Sequence, residues 1–153
     1  MWFFILLLET LNLHHHTLEI MLLPAEIESK TLIPALRAIL AKKLAEEHDI
    51  REDEISKMLG VTQAAISNYI RGTRGDPSLI AKLLADKQVA QLINELCDNL
   101  SSDLAYTPSS LSKFIGLCNY IKSSLLICEI HHNLESNIDE QVCKECENML
   151  LKG

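Results

Sequence analysis

Residues 59–75 read LGVTQAAISNYIRGTRG. No acidic side chain falls in this stretch, although the chain as a whole carries a formal net charge of -7. It closes on Arg71 and Arg74, each followed by glycine. The segment leading into it, IREDEISKMLG, sets Ile55, Met58 and Leu59 on one helical stripe. Glu52, Asp53 and Glu54 fall in its first turn, where carboxylates complement a helix N-terminus. Gly60 stops that helix at a position that can turn left-handed. Thr62 then caps a second helix, TQAAISNYIRG, which Gly72 ends. Two short helices joined by a tight glycine-containing turn make a helix-turn-helix.

The inward set of this pair is expected to be Ile55, Leu59, Val61, Ile66 and Tyr69. Thr62, Gln63, Ala64, Ser67, Asn68 and Arg71 are left facing outward. All are uncharged or basic, and small or able to hydrogen-bond, which suits the major groove of duplex DNA. Gln63 and Asn68 can pair with an adenine edge, Ser67 can donate or accept, and the Ala64 methyl can meet a thymine methyl. A carboxylate here would repel phosphates. Thr62 and the helix N-terminus can hold one backbone phosphate. Arg71 and Arg74 can hold others, with Gly72 and Gly75 letting the backbone come close. The competing reading is a solvated polar face on a helix-turn-helix that binds protein instead.

Residues 50–76 resemble the lambda repressor/Cro-like helix-turn-helix family. Gly60 stands in the turn position, and Leu59-Gly60-Val61-Thr62-Gln63 followed by Ile66-Ser67 matches the family's pattern. Ser56 departs from it, since the family usually has alanine at the tight helix crossing. PAEIESKTLIPALRAILAKKL followed by LGVTQAAISNYIRGTRG is similar to a group of archaeal transcriptional regulators. These pair such a head with a short cysteine-containing tail. Some fuse the head to a larger ligand-binding domain, for which this chain is too short. The resemblance covers residues 24–76 and is loose over the tail.

The composition agrees with an all-α fold, a lambda repressor-like helix-turn-helix bundle with an additional C-terminal helical segment. Of 153 residues 48% are apolar and only 5% aromatic, and Leu, Ala, Glu and Lys outweigh Val and Thr. The acidic balance excludes coating a polyanion with the whole surface, so any nucleic-acid contact is local. Residues 78–153 carry six basic and ten acidic side chains and make a poor phosphate-binding surface.

Upstream of the motif, Leu36, Ile39, Leu40 and Leu44 recur at helical spacing, and Pro34 fits a helix first turn. Residues 25–32 read as a separate helical turn or two. Downstream, Asp76-Pro77 is a strong start signal. The apolar phase from Leu79 to Leu100 slips near Asp86-Lys87, giving either two helices or a bent one. The best linker is 101–110. Thr107-Pro108 then opens a helix with Leu111, Phe114, Ile115, Cys118, Ile121, Leu125 and Cys128 on one face. A polar stretch follows, and Asn137 can cap a final helix. The expected division is an extension at 1–20 outside the fold, a DNA-binding domain at 24–100, and a helical tail at 107–153 for dimerisation or metal binding. The apolar run WFFILLLETLNL is too short to span a membrane and lacks the basic flank and cleavage site of a signal peptide.

Five cysteines, an odd number, in helix-like contexts point to a reducing cytoplasm without a disulfide framework. Residues 128–146, CEIHHNLESNIDEQVCKEC, pair Cys128 and His131 with Cys143 and Cys146, a set able to surround zinc. An iron–sulfur cluster is the second option, with Cys118 replacing His131. The bland alternative is cysteines acting as small buried hydrophobes. Cys97, among Ile93, Leu96 and Leu100, reads as core.

The function expected is a sequence-specific, DNA-binding transcriptional regulator that reads double-stranded DNA with residues 62–71 as a homodimer, because one helix reads only a few base pairs. The alternative is a helical interaction module, antitoxin-like or adaptor, that does not bind DNA. No glycine-rich phosphate loop and no nucleophile–base spacing point to an enzyme. Neither the operator nor any small-molecule effector is written in these residues.

Overall fold

The computed structural model describes residues 22–135 and 138–152. The expected extension at 1–20 and the expected cap at Asn137 lie outside the described residues. Among the described residues every regular element is helical. In order they are α1 (Pro24–Ile27), a π-helical stretch (Glu28–Leu32), α2 (Ile33–Glu46), α3 (Glu52–Leu59), α4 (Gln63–Ile70), α5 (Pro77–Ala85), α6 (Lys87–Asp103), α7 (Pro108–Ser123), α8 (Cys128–Leu134) and α9 (Glu140–Lys152). None of these helices is long and apolar enough to cross a membrane.

Pro34 stands in the first turn of α2 as expected, and the π-helical stretch before it adds what the sequence did not show. Proline has no N–H, and in a helix interior its ring collides with the carbonyl four residues back, here that of Lys30. The chain does not break there. It widens to a π turn, in which the Ile33 N–H reaches back to the Glu28 carbonyl. Residues 24–46 therefore run on as consecutive helical segments.

α2 is the centre of the bundle. Leu36, Leu40, Ala41 and Leu44 are 0% exposed, and Ala35, Ala38 and Ile39 are also buried. The sequence shows one leucine–isoleucine stripe. The structure covers the flanking alanines as well, because α3, α4, α5 and α6 all pack against this helix. Each leucine so enclosed contributes roughly 1.5–3 kcal/mol.

The break between α5 and α6 resolves the phase slip into two helices. Asp86 stands at the junction in an extended conformation, and its carboxylate accepts from the Val89 N–H at 2.9 Å. The expected linker is shorter than 101–110, for α6 runs to Asp103 and α7 starts at Pro108. Thr107 and Ser110 form a reciprocal capping box: the Thr107 N–H donates to Ser110 Oγ (2.8 Å) and the Ser110 N–H to Thr107 Oγ1 (3.2 Å).

α7 keeps part of its expected inward face, with Phe114, Cys118 and Ile121 packed inward, and the rest differs. Ser110, Leu117, Cys118 and Ile121 are buried, whereas Leu111 and Ile115 are 40% and 49% exposed. Leu125 and Cys128 do not extend this face, since α7 ends at Ser123. α7 packs on α6, so Leu117, Cys118 and Ile121 join the core that begins at α2. The polar stretch expected after residue 130 contains a helix, α8.

Candidate nucleic-acid interface

α3 and α4 form the helix-turn-helix, held by Ile55, Met58, Ala65, Ile66 and Tyr69, all buried. Leu59 and Val61 are half-buried against the same core. Met58 replaces Leu59 as the most enclosed residue at the end of α3, since it faces the core while Leu59 lies at the helix edge. The turn is a left-handed helix stop. Gly60 has φ 62°, and the Val61 N–H donates to the Ser56 carbonyl at 3.1 Å. Ser56 fits the tight crossing by turning its hydroxyl onto the Asp53 carbonyl at 2.7 Å.

α4 starts on Thr62, whose Oγ1 accepts from the Ala65 N–H at 3.2 Å. The bond uses an oxygen lone pair, so the hydroxyl proton is left to donate outward. Thr62→Ala removes this cap and lowers unfolding free energy by about 1 kcal/mol. Urea denaturation followed by helical circular dichroism measures it. The other end is a second left-handed stop. Gly72 (φ 71°) donates to the Tyr69 carbonyl and the Thr73 N–H to the Asn68 carbonyl, at 3.1 and 3.0 Å.

Between these stops lies the outward face. Thr62, Gln63, Ala64, Arg71 and Arg74 are exposed, and Ser67 and Asn68 are half-exposed. All six positions expected to face outward do so, Arg74 is exposed beyond them, and no carboxylate stands among them.

Two of these side chains are held. Asn68 Oδ1 accepts from Arg71 Nη2 at 3.0 Å and from the Thr73 hydroxyl at 3.3 Å. Arginine can only donate, so the amide oxygen of Asn68 is the atom turned to Arg71. Bidentate pairing with adenine needs one acceptor and one donor on the same amide. In this geometry the amide oxygen of Asn68 is engaged and its amide hydrogens are the groups left to donate. Arg74 lies over the Tyr69 ring, its guanidinium carbon 5.2 Å from the centroid.

The structure adds a residue that the sequence did not single out. A groove between α2, the end of α4 and α5 is lined by Arg71 and Arg74 and also by Lys42 and Lys43, with Glu46 and Glu47. Glu47 pairs with Lys43 at 2.7 Å, and Lys42 is exposed. Lys42 sits on the charged side of α2, and nothing local distinguishes it from other surface lysines. The acids of α3 are partly offset in place: Arg51 lies 3.3 Å from Glu54 and 3.6 Å from Asp53, and Lys57 lies 3.8 Å from Asp53.

Of the expected metal ligands, Cys128, His131 and Cys146 line one small cavity together with Pro24 and Ile27 of α1 and Lys122 of α7. His131 Nε2 lies 3.1 Å from the Glu135 carboxylate. The histidine beside Cys143 is His132, with Nε2 3.2 Å from Sγ. Among the described residues no three histidine, cysteine or acidic side chains converge on one point as metal ligands. Cys118 is not drawn into this group. It is buried on α7, desolvation pushes its thiol up to about 11, and its charged neighbours are Glu28 and Lys122. Cys97 is core as expected, its thiol pushed up by burial to about 12.

Compared with known families, residues 42–85 match the helix-turn-helix family. The match spans α3, α4 and α5 and the last five residues of α2. No curated protein and no solved structure matches the chain.

Proposed function

From a helix-turn-helix domain at residues 42–85, we propose that this chain is a sequence-specific transcriptional regulator that enters the major groove with α4 and binds as a homodimer. The observation that carries the reading is the face of α4. Thr62, Gln63 and Ala64 are exposed at its N-terminal end, Arg71 and Arg74 are exposed beyond its C-terminal end, and no acid lies between them.

Each side chain has a task in this reading. The Thr62 hydroxyl and the free N–H groups of the first turn of α4 bind one phosphate. Gln63, unencumbered at the N-terminal end, pairs with a base edge. Ala64 and Ser67 supply a methyl group and a hydroxyl at the groove floor. Arg71, braced by Asn68, and Arg74, braced on Tyr69, bind phosphates at the far end. Lys42 extends this basic edge.

A single recognition helix reads few base pairs, so two copies on a two-fold site are needed for useful specificity. The exposed apolar side chains of α7 (Leu111, Ile115) and α9 (Val142, Met149, Leu151) support an interface between copies. They equally favour the second reading, a helical adaptor or antitoxin-like protein that uses those faces for a different chain.

Binding to duplex DNA separates the two. The intact protein is expected to bind duplexes with an affinity that falls steeply as salt rises. Gln63→Ala should redistribute preference among selected sequences, losing about 1–3 kcal/mol of discrimination at one base pair. Selection from a random duplex library, wild type beside variant, measures this. Absence of duplex binding at low salt would overturn the proposal and leave the adaptor reading.

A further inference from the structure

We propose that the cavity between α2, α3, α6 and α7 binds a small hydrophobic carboxylate, a medium-chain fatty acid in size, and that Arg37 is the group that takes its charge. The site is apart from the outward face of α4, and ligand binding there does not depend on the DNA reading.

The cavity has a volume of about 330 Å³. That is the small end of the range for small-molecule sites, roughly 300–1,000 Å³. Met58 and Leu59 of α3, Leu96 and Leu100 of α6 and Phe114 of α7 give it apolar walls. Met58 is among the most enclosed side chains of the core, and its flexible thioether can shift to fit a hydrocarbon chain. Tyr106, exposed in the short loop between α6 and α7, completes the lining with an aromatic ring.

The polar groups are few, and they differ in what they have left to offer. The hydroxyl of Ser110 is spent on Thr107, accepting from its N–H at 2.8 Å and donating to its carbonyl at 2.9 Å. Lys57 lies 3.8 Å from Asp53 and is largely exposed. Arg37 is half-buried on α2, between Leu36 and Ala38, which are both buried. Among the described residues it has no hydrogen-bond or ion-pair partner. By contrast Lys43, Arg51 and Lys122 each have a carboxylate close by, at 2.7, 3.3 and 3.1 Å. No acid lines the cavity among the described residues. A guanidinium partly withdrawn from water gains most from an anion that shares its sheltered site, where salt screens the pair less than on the surface.

Charge and shape select the ligand. One uncompensated cation calls for a monoanion, and a carboxylate matches the guanidinium fork with two parallel hydrogen bonds. A phosphate would want several donors or a nest of backbone N–H groups, whereas here a single guanidinium stands among apolar side chains. The walls call for a hydrocarbon body. A methylene takes up about as much space as a water molecule, roughly 30 Å³ in the liquid, so the cavity holds on the order of ten such groups. That fits octanoate and leaves no room for a long-chain lipid.

The walls also join parts of the chain on both sides of the family match. Arg37 precedes the matched residues, Met58 and Leu59 lie within them, and Leu96, Leu100 and Phe114 follow. A ligand here would tie the helix-turn-helix to α6 and α7, beside Gly60, where α3 turns into α4.

The test titrates the full chain by calorimetry with sodium octanoate and, separately, with octan-1-ol, which keeps the hydrocarbon and drops the charge. Octanoate is expected to bind one per chain with a dissociation constant below about 1 mM, about tenfold or more tightly than octan-1-ol. Arg37→Gln should weaken octanoate about tenfold or more and remove its advantage over the alcohol. Circular dichroism checks that the variant keeps its helices, and the wild-type preference for octanoate over octan-1-ol reads the charge without any substitution. In methyl spectra by nuclear magnetic resonance the Met58 methyl should shift with octanoate, and that of Met149, exposed on α9, should not. No saturable binding of octanoate, equal binding of acid and alcohol, undiminished octanoate binding by Arg37→Gln, or a shift at Met149 with none at Met58 would each overturn the site.

Discussion

Gly75→Ala is expected to destabilise the protein by about 3 kcal/mol, while Gly72→Ala costs only about 1 kcal/mol. Both glycines follow an arginine and both have positive φ, 94° and 71°. Their surroundings differ. A Cβ on Gly72 meets nothing within 4 Å. A Cβ on Gly75 would lie 3.1 Å from Ala38 Cβ, 3.2 Å from Ile80 Cδ1 and 3.5 Å from the Pro34 carbonyl oxygen. The isoleucine terminus can swing away, but Ala38 is fixed on α2. The alanine therefore adds overpacking, about 1–3 kcal/mol, to a backbone strain of similar size. For a chain of this length the larger loss lowers the thermal midpoint by roughly 10 °C. Urea titration of the two variants side by side measures the difference. Equal losses would mean that α2 does not press on this loop.

The second large effect is on DNA. Removing both Arg71 and Arg74 should weaken binding to every duplex and reduce the log–log salt slope by about 2, since each phosphate contact contributes roughly 0.9. At about 0.1 M salt this amounts to roughly sixtyfold in affinity. The single variants add a finer expectation. Arg74→Ala removes a phosphate contact and its stacking on Tyr69, and should leave sequence preference unchanged. Arg71→Ala also takes away the closer of the two donors to the Asn68 amide oxygen, leaving the Thr73 hydroxyl. With one lone pair of that oxygen freed, Asn68 can both accept from and donate to adenine, so this variant alone should gain a preference at one base pair. Anisotropy titrations across a salt series and a duplex panel check both. An unchanged salt slope in the double variant would remove these arginines from the interface.

Much of the helix-turn-helix was legible because its signals are local. Thr62, Gly60 and Gly72 mark helix ends through interactions that reach only three to five residues along the chain. Ile55 and Ile66 reveal the inward face by spacing alone, and both are 0% exposed. The outward face followed as the remainder. Legibility declined where the answer depended on another element. Leu111 and Ile115 read as core for α7, yet Ser110 and Leu117 are inside, because the capping box and the packing on α6 set the rotation of that helix. Gly75 read as letting the backbone approach a phosphate, and its tight packing against α2 was not legible. Pro34 stands in the first turn of α2 as read, but the π turn that precedes it was not legible.

The sequence alone determined an all-helical chain, the position of its helix-turn-helix and the acid-free character of α4. These rest on periodicity, capping and side-chain charge, which are written residue by residue. Only the tertiary structure decided which face α7 buries, that Asn68 braces Arg71, that Lys42 joins the arginine edge, and that His132 is the histidine opposite Cys143. Each of those depends on how one helix is rotated against another. A rotation of one residue, about 100°, changes a side chain's neighbour while leaving its local pattern intact.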